Sequence, residues 1–251
     1  MKTKNNLKNV TKHIKSFVYL TIIGLSISSC EQLFDMYNFD MYNYEAGKIP
    51  GLGNNPGQAP GYTFTLPEGV VLYENITGGG SSGNYWNHPL GSDGVHYFGS
   101  GSGYVDLKIP LRNTRSYQIN VTFPAATILV ARTGVSQNGV LLKEVTVTIP
   151  ANSNYLLCLS FYCGNKNKSA AGSGNIYDLG VVSNAYPLVD LCNRVKYKRI
   201  NIEMFAPMST IDKNAYNSQI GTLQSIVWRV TDGNGLTQSD IDFISSLPLS
   251  F

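Results

Sequence analysis

Long apolar runs are missing from this chain of 251 residues. The longest, Phe17–Ser28 (FVYLTIIGLSIS), is too short to cross a bilayer. Cysteine is scarce, with four residues: Cys30, Cys158, Cys163 and Cys192. Cys158 and Cys163 sit on one strand-like stretch, about 17 Å apart and on opposite faces, which excludes a bridge between them. Either could meet Cys192, or all three could serve as small buried hydrophobes. Catalytic constellations are also lacking. Gly79-Gly80-Ser81-Ser82-Gly83 fits a G-x-S-x-G pattern without the strand–turn–helix such a nucleophile needs. Asp232-Gly233-Asn234-Gly235 opens like a calcium loop, but Leu236 and Phe243 stand where ligands belong. No paired carboxylates or triad stand out. A turnover enzyme, a metal and a cofactor are therefore not expected.

The first 29 residues read as an export signal. Lys2, Lys4, Lys8, Lys12 and Lys15 precede the apolar run, and Ile27-Ser28-Ser29-Cys30 follows it. That ending resembles the lipobox of bacterial lipoproteins. The resemblance implies cleavage before Cys30 and acyl chains on its thiol and amine, enough for stable anchoring. The signal takes five of the 19 basic residues and none of the 16 acids, leaving 14 basic and 16 acidic. The net positive charge is thus a targeting feature, and nothing points to nucleic acid. Residues 30–61 read as a lipidated flexible tether. Phe34-Asp35-Met36-Tyr37-Asn38 is duplicated as Phe39-Asp40-Met41-Tyr42-Asn43, and KIPGLGNNPGQAPG follows, rich in turn formers. Acidic residues just after the lipidated Cys resemble the surface-export signals of some Gram-negative lipoproteins. The expected location is the cell envelope, at the outer membrane or cell surface.

Residues 62–251 read as the folded part, a mainly β domain with a helical subdomain from about 187 to 251. Strands are predicted over Tyr62–Tyr73, Tyr104–Leu111, Ser116–Phe123, Thr127–Thr133, Gln137–Lys143, Glu144–Ile149 and Tyr155–Tyr162, a sandwich or barrel pattern. Val145, Val147 and Ile149 should face one way. Residues 76–103 form a Gly/Ser-rich excursion holding Tyr85, Trp86, His88, Asp93, His96 and Tyr97. Long loops of this kind often carry function. Tyr85 and Trp86 could stack on a sugar or cap the edge of the sheet. His88, Asp93 and His96 have the chemistry of metal ligands, but exposed loop histidines are the plainer reading.

The last third turns helical. Leu188, Leu191, Cys192 and Val195 recur at helical spacing behind Pro187. A polar loop, Pro207–Asn217, precedes a second helix in which Ile220, Leu223, Val227 and Val230 share a face. Thr237-Gln238-Ser239-Asp240 has capping-box spacing before a short third helix. Gln224 lies on or beside the apolar face of the second helix. Its amide must find a partner, since an unpaired buried amide costs on the order of 1–3 kcal/mol. The candidate partner is Cys163, at a strand end against Lys166 and Lys168, lysines that would favour thiolate.

Tyr162-Cys163 followed by Gln224-Ser225-Ile226-Val227-Trp228 resembles the bacterial thioester domains of surface adhesins. Those pair an aromatic-Cys strand with a later Gln-x-Ala-Val/Ile-Trp helix. The segments Ser173–Gly180 and Val230–Gly233 agree in order, as do Gln137-Asn138 and Val145–Ala151. Leu223 stands where the family has Thr, Ile226 where it has Ala, and a lipobox replaces the Gram-positive sorting signal. The resemblance implies a β domain packed on helices with a Cys163–Gln224 thioester at their interface, Tyr162 and Trp228 lining the site. A lysine amine or sugar hydroxyl of a surface protein or glycan would open it and be bonded once. The alternative is a non-covalent glycan- or protein-binding module using the loop 84–97.

Overall fold

A computed structural model describes residues 42–79, 95–101, 103–205 and 210–250. Cys30, Tyr85, Trp86, His88 and Asp93 lie outside them, and so do the expectations placed on those residues. The described residues belong to one compact unit, Met41–Phe251. Its strands are β1 (Gly61–Thr63), β2 (Val70–Leu72), β3 (Ile76–Gly78), β4 (His96–Gly99), β5 (Val105–Asn113), β6 (Ile119–Phe123), β7 (Thr127–Ala131), β8 (Gly139–Val140), β9 (Val145–Ile149), β10 (Asn154–Cys163) and β11 (Ile176–Ser183). Three helices follow, α1 (Tyr186–Val195), α2 (Thr210–Thr231) and α3 (Gln238–Ser246), with a 3-10 turn at Ile202–Met204.

Of the two predicted architectures, the chain adopts the barrel. Strands β5, β3, β11, β7, β8 and β10 pair antiparallel in that order, and β10 returns to β5. Closure leaves no open edge in this ring. Strand β2 adds to β5, β1 to β11, and β4 lies parallel to β10. Strands β6 and β9 form a separate ribbon whose Val145, Val147 and Ile149 are buried as their alternation predicts.

Strand β10 organises both cores. Leu157, Leu159, Phe161 and Cys163 enter one with the inward residues of β5 and β9. Cys158 and Tyr162 enter the other, with Leu188, Leu191, Leu223 and Val227 of α1 and α2. A strand covered on both faces reads as an apolar run, and NYLLCLSFYC is nearly that. None of Cys158, Cys163 and Cys192 forms a disulfide. Burial pushes the Cys192 thiol up to about 12, as suits a small core hydrophobe.

The helices match their sequence signals unevenly. Helix α1 has Pro187 in its first turn and buries Leu188, Leu191, Cys192 and Val195. Helix α3 carries both halves of the capping box: the Asp240 N–H donates to Thr237 Oγ1, and the Thr237 N–H donates to Asp240 Oδ2. Helix α2 begins at Thr210, inside the stretch predicted as a loop. Polar groups anchor this extra length. The buried Tyr216 hydroxyl lies 2.9 Å from the Ser100 carbonyl and 3.1 Å from that of Ile200, and Gln219 donates to the Arg199 carbonyl. Apolar spacing cannot reveal such contacts.

Other expectations need correction. The predicted strand 62–73 is split into β1 and β2 around Pro67, and 137–143 keeps only Gly139–Val140. Strands β3 and β4 form inside the excursion read as a loop. The tether does not extend to Gly61. Ile49 and Leu52 are fully buried, and the strap around them is tied to the barrel through its backbone. The Gly53 N–H donates to the Gly164 carbonyl, while Asn165 and Asn138 side chains donate to the carbonyls of Gly53 and Gly51. Two apolar anchors and a few side-chain amides order a segment whose composition alone reads as a spacer. Gly53 has a positive φ of 60°, and a Cβ there would collide with the Thr231 carbonyl. Gly53→Ala should therefore lower stability by about 1–3 kcal/mol in denaturant melts; an unchanged midpoint would contradict the packed strap.

Glu203, in the 3-10 turn, ties that turn to β4. Its carboxylate accepts the Gly99 N–H and the Asn201 side-chain N–H, each at 2.8 Å. Burial pushes this carboxyl up to about 7, against the pull of those hydrogen bonds and of Lys143. The Tyr162 and Tyr216 hydroxyls feel the same carboxylate. A raised folded-state value means stability is fully present below the unfolded carboxyl range and is lost as pH rises through about 7. Thermal melts should lose on the order of 1–3 kcal/mol between about pH 5 and pH 8, and Glu203→Gln should flatten that slope. A wild-type profile flat across this range would refute the assignment.

Candidate functional site

Strand β10 and helix α2 bring Cys163 and Gln224 together across 61 positions of sequence. Cys163 closes β10, held by pairing with Gly139 of β8. Gln224 faces it because Leu223, Val227 and Val230 lock the helix against the second core. Both residues are fully buried. The Cys163 N–H donates to Gln224 Oε1 at 2.8 Å, and Gln224 Nε2 donates to the Cys163 carbonyl at 2.9 Å. The glutamine's polar groups are thus satisfied by the peptide of the cysteine itself.

The sulfur has its own donors. Trp228, one turn after Gln224, donates its indole N–H to Cys163 Sγ at 3.3 Å, and the Asn165 N–H donates to it at 3.4 Å. These two bonds favour the thiolate, but burial dominates and raises the thiol above its ordinary value, and the charge of Asp232 adds to the rise. The lysine-activated thiolate expected from Lys166 and Lys168 is therefore corrected: the thiol is held protonated. Lys166 instead lies over the Trp228 ring, its Nζ 5.7 Å from the centroid. Tyr104 meets the same indole edge-on at 5.8 Å.

Trp228 separates the sulfur from an open cleft of about 510 Å³, which Lys166, Asn167, Arg229, Asp232 and Asn54 also line. The indole is partly exposed, whereas the thiol and the carboxamide behind it are sealed. Ile226 is fully buried in the second core.

Not every predicted site residue converges here. Tyr162 points into the second core, and its hydroxyl is buried without a hydrogen-bond partner. It does not line the cleft. His96 stacks on Tyr155, ring centroids 4.1 Å apart, and burial lowers its pKa. Asn165 and Asp232 belong to the site but were not singled out as site residues. For Asp232 the signal was available: Gln224, Trp228 and Asp232 follow one another at intervals of four, the spacing of one helical face.

Comparison with family models gives no match, and comparisons with curated proteins and with solved structures give none either.

Removing the carboxamide strands both polar groups of the Cys163 peptide and opens a void. Gln224→Ala should cost about 2–4 kcal/mol in denaturant unfolding. A loss below about 0.5 kcal/mol, the scale of an ordinary surface change, would contradict the buried pairing.

Proposed function

We propose that this chain is a lipid-anchored, adhesin-like binding domain of the cell surface that bonds its partner covalently through Cys163 and Gln224. The observation that supports it is the buried pairing of the Gln224 carboxamide with the peptide of Cys163, whose sulfur is bonded by Trp228, at the seam between barrel and helices. Anchoring rests on Cys30 and its resemblance to a lipobox.

The chemistry follows from the contacts. Sulfur attacks Gln224 Cδ, the Cδ–Nε2 bond breaks, and ammonia leaves carrying the thiol proton. Negative charge develops on Oε1, where the Cys163 N–H already points at 2.8 Å. Holding thiol and carboxamide together removes much of the entropic barrier. The acyl thioester would persist because the site is dry. A lysine amine or sugar hydroxyl on a surface protein or glycan, entering by the cleft, would then attack the acyl carbon. The C–S bond breaks, the thiol regains a proton, and the partner stays joined to residue 224. Such a domain acts once and is no turnover enzyme.

Intact mass of the mature protein tests this. The native chain should be lighter by one ammonia than its sequence, Cys163→Ala should show its full sequence mass, and methylamine should add to the native chain alone. Full mass in the native chain together with no methylamine uptake would overturn the covalent reading.

A further inference from the structure

Closing the bond requires the thiol to give up its proton inside a pocket that raises its pKa, so something nearby must take it. The lysine of the cleft is a poor acceptor: Lys166 carries its charge over the Trp228 ring. Arg229 is bound through its guanidinium to Asp240. The carboxylate of Asp232 stands differently. Its N–H donates to the Trp228 carbonyl, which places it one turn beyond the indole on the face that already presents Gln224 and Trp228. All three engage the same short segment. Gln224 holds the Cys163 peptide and Trp228 holds its sulfur, while the Lys166 N–H reaches Asp232 Oδ2 at 3.5 Å. The preceding N–H, that of Asn165, donates to the Cys163 sulfur. Sulfur and carboxylate therefore sit on successive amides of one turn.

The two carboxylate oxygens are unequal. Oδ2 accepts from the Thr231 hydroxyl and the Lys166 N–H. Oδ1 is sealed from solvent and has no hydrogen-bond partner. It faces the strap, where a Cβ on Gly53 would lie 3.1 Å away, and Gly53 is itself hydrogen-bonded to Gly164 and Asn165 of the cysteine turn. A carboxylate oxygen buried without a donor is costly to hold. It is a vacant lone pair on the carboxylate whose charge acts on the Cys163 thiol.

We propose that Asp232 is the proton acceptor for bond closure at this site, with Oδ1 taking the thiol proton and passing it to the departing nitrogen. This rests on the covalent reading above. The step balances: the S–Cδ bond forms, the Cδ–Nε2 bond breaks, the proton moves from sulfur to Oδ1 and then to nitrogen, and neutral ammonia leaves with the carboxylate restored. In the reverse sense the same oxygen takes a proton from an incoming amine or hydroxyl and returns it to sulfur.

The test follows closure in the full mature chain. Native protein is opened with ammonia, which restores Gln224 and the Cys163 thiol, then desalted. Loss of one ammonia is timed by intact mass, alongside thermal melts of each variant. Asp232→Asn should close about 10²-fold more slowly while melting with the wild type, and Asp232→Glu should recover most of the rate. Asp232→Asn closing at the wild-type rate would overturn the role. So would Asp232→Glu closing as slowly as Asp232→Asn, since the loss would then track packing and not the carboxylate. A wild-type chain that never loses ammonia overturns the covalent reading itself and this inference with it, an outcome distinct from either variant result.

Discussion

Two reciprocal hydrogen bonds between the Gln224 carboxamide and the Cys163 peptide join the barrel to its helices. Any slip of α2 along β10 would leave these four polar groups unpaired in a buried seam. Each unpaired group costs on the order of 1–3 kcal/mol. The hydrophobic contacts of Leu223, Val227 and Val230 make the two layers stick, but they tolerate sliding. The carboxamide fixes the register, and with it the position of Trp228 over the sulfur and of Asp232 beyond it.

The strap before β1 supports the same place from outside. Its backbone receives side-chain amides from Asn138 and Asn165, which immobilises the turn that follows Cys163. That turn supplies N–H groups to the sulfur and to Asp232. The site is thus assembled from separate stretches, packed through apolar residues and fixed in register by hydrogen bonds to main chain. Main-chain partners move less than side-chain ones, which suits the fixed geometry that the proposed bond closure needs.

The sequence made some of this legible and hid the rest for physical reasons. The 3.6-residue period of Ile220, Leu223, Val227 and Val230, with Gln224 breaking it, announced both the helix and its buried amide. The alternation in Val145–Ile149 announced a half-buried strand. The strap was hidden because Ile49 and Leu52 are only two apolar residues among glycines, prolines and asparagines, and what orders them is hydrogen bonding to distant asparagines. The start of α2 was hidden because Tyr216 and Gln219 anchor it through polar contacts. The thiol's protonation was misjudged because lysine count along the chain says nothing about burial, and Lys166 turns its charge to the indole. Asp232 opens a calcium-like pattern that Leu236 and Phe243 break, while its spacing from Gln224 and Trp228 places it on their face.

The most direct measurement is a crystal structure of the mature protein at a resolution that separates bonded from non-bonded atoms. The account predicts continuous density from the sulfur of Cys163 to the side-chain carbon of residue 224, with the nitrogen gone and Trp228 covering the link. An intact carboxamide hydrogen-bonded to the Cys163 peptide beside a separate thiol, in protein that has met no nucleophile, would contradict it.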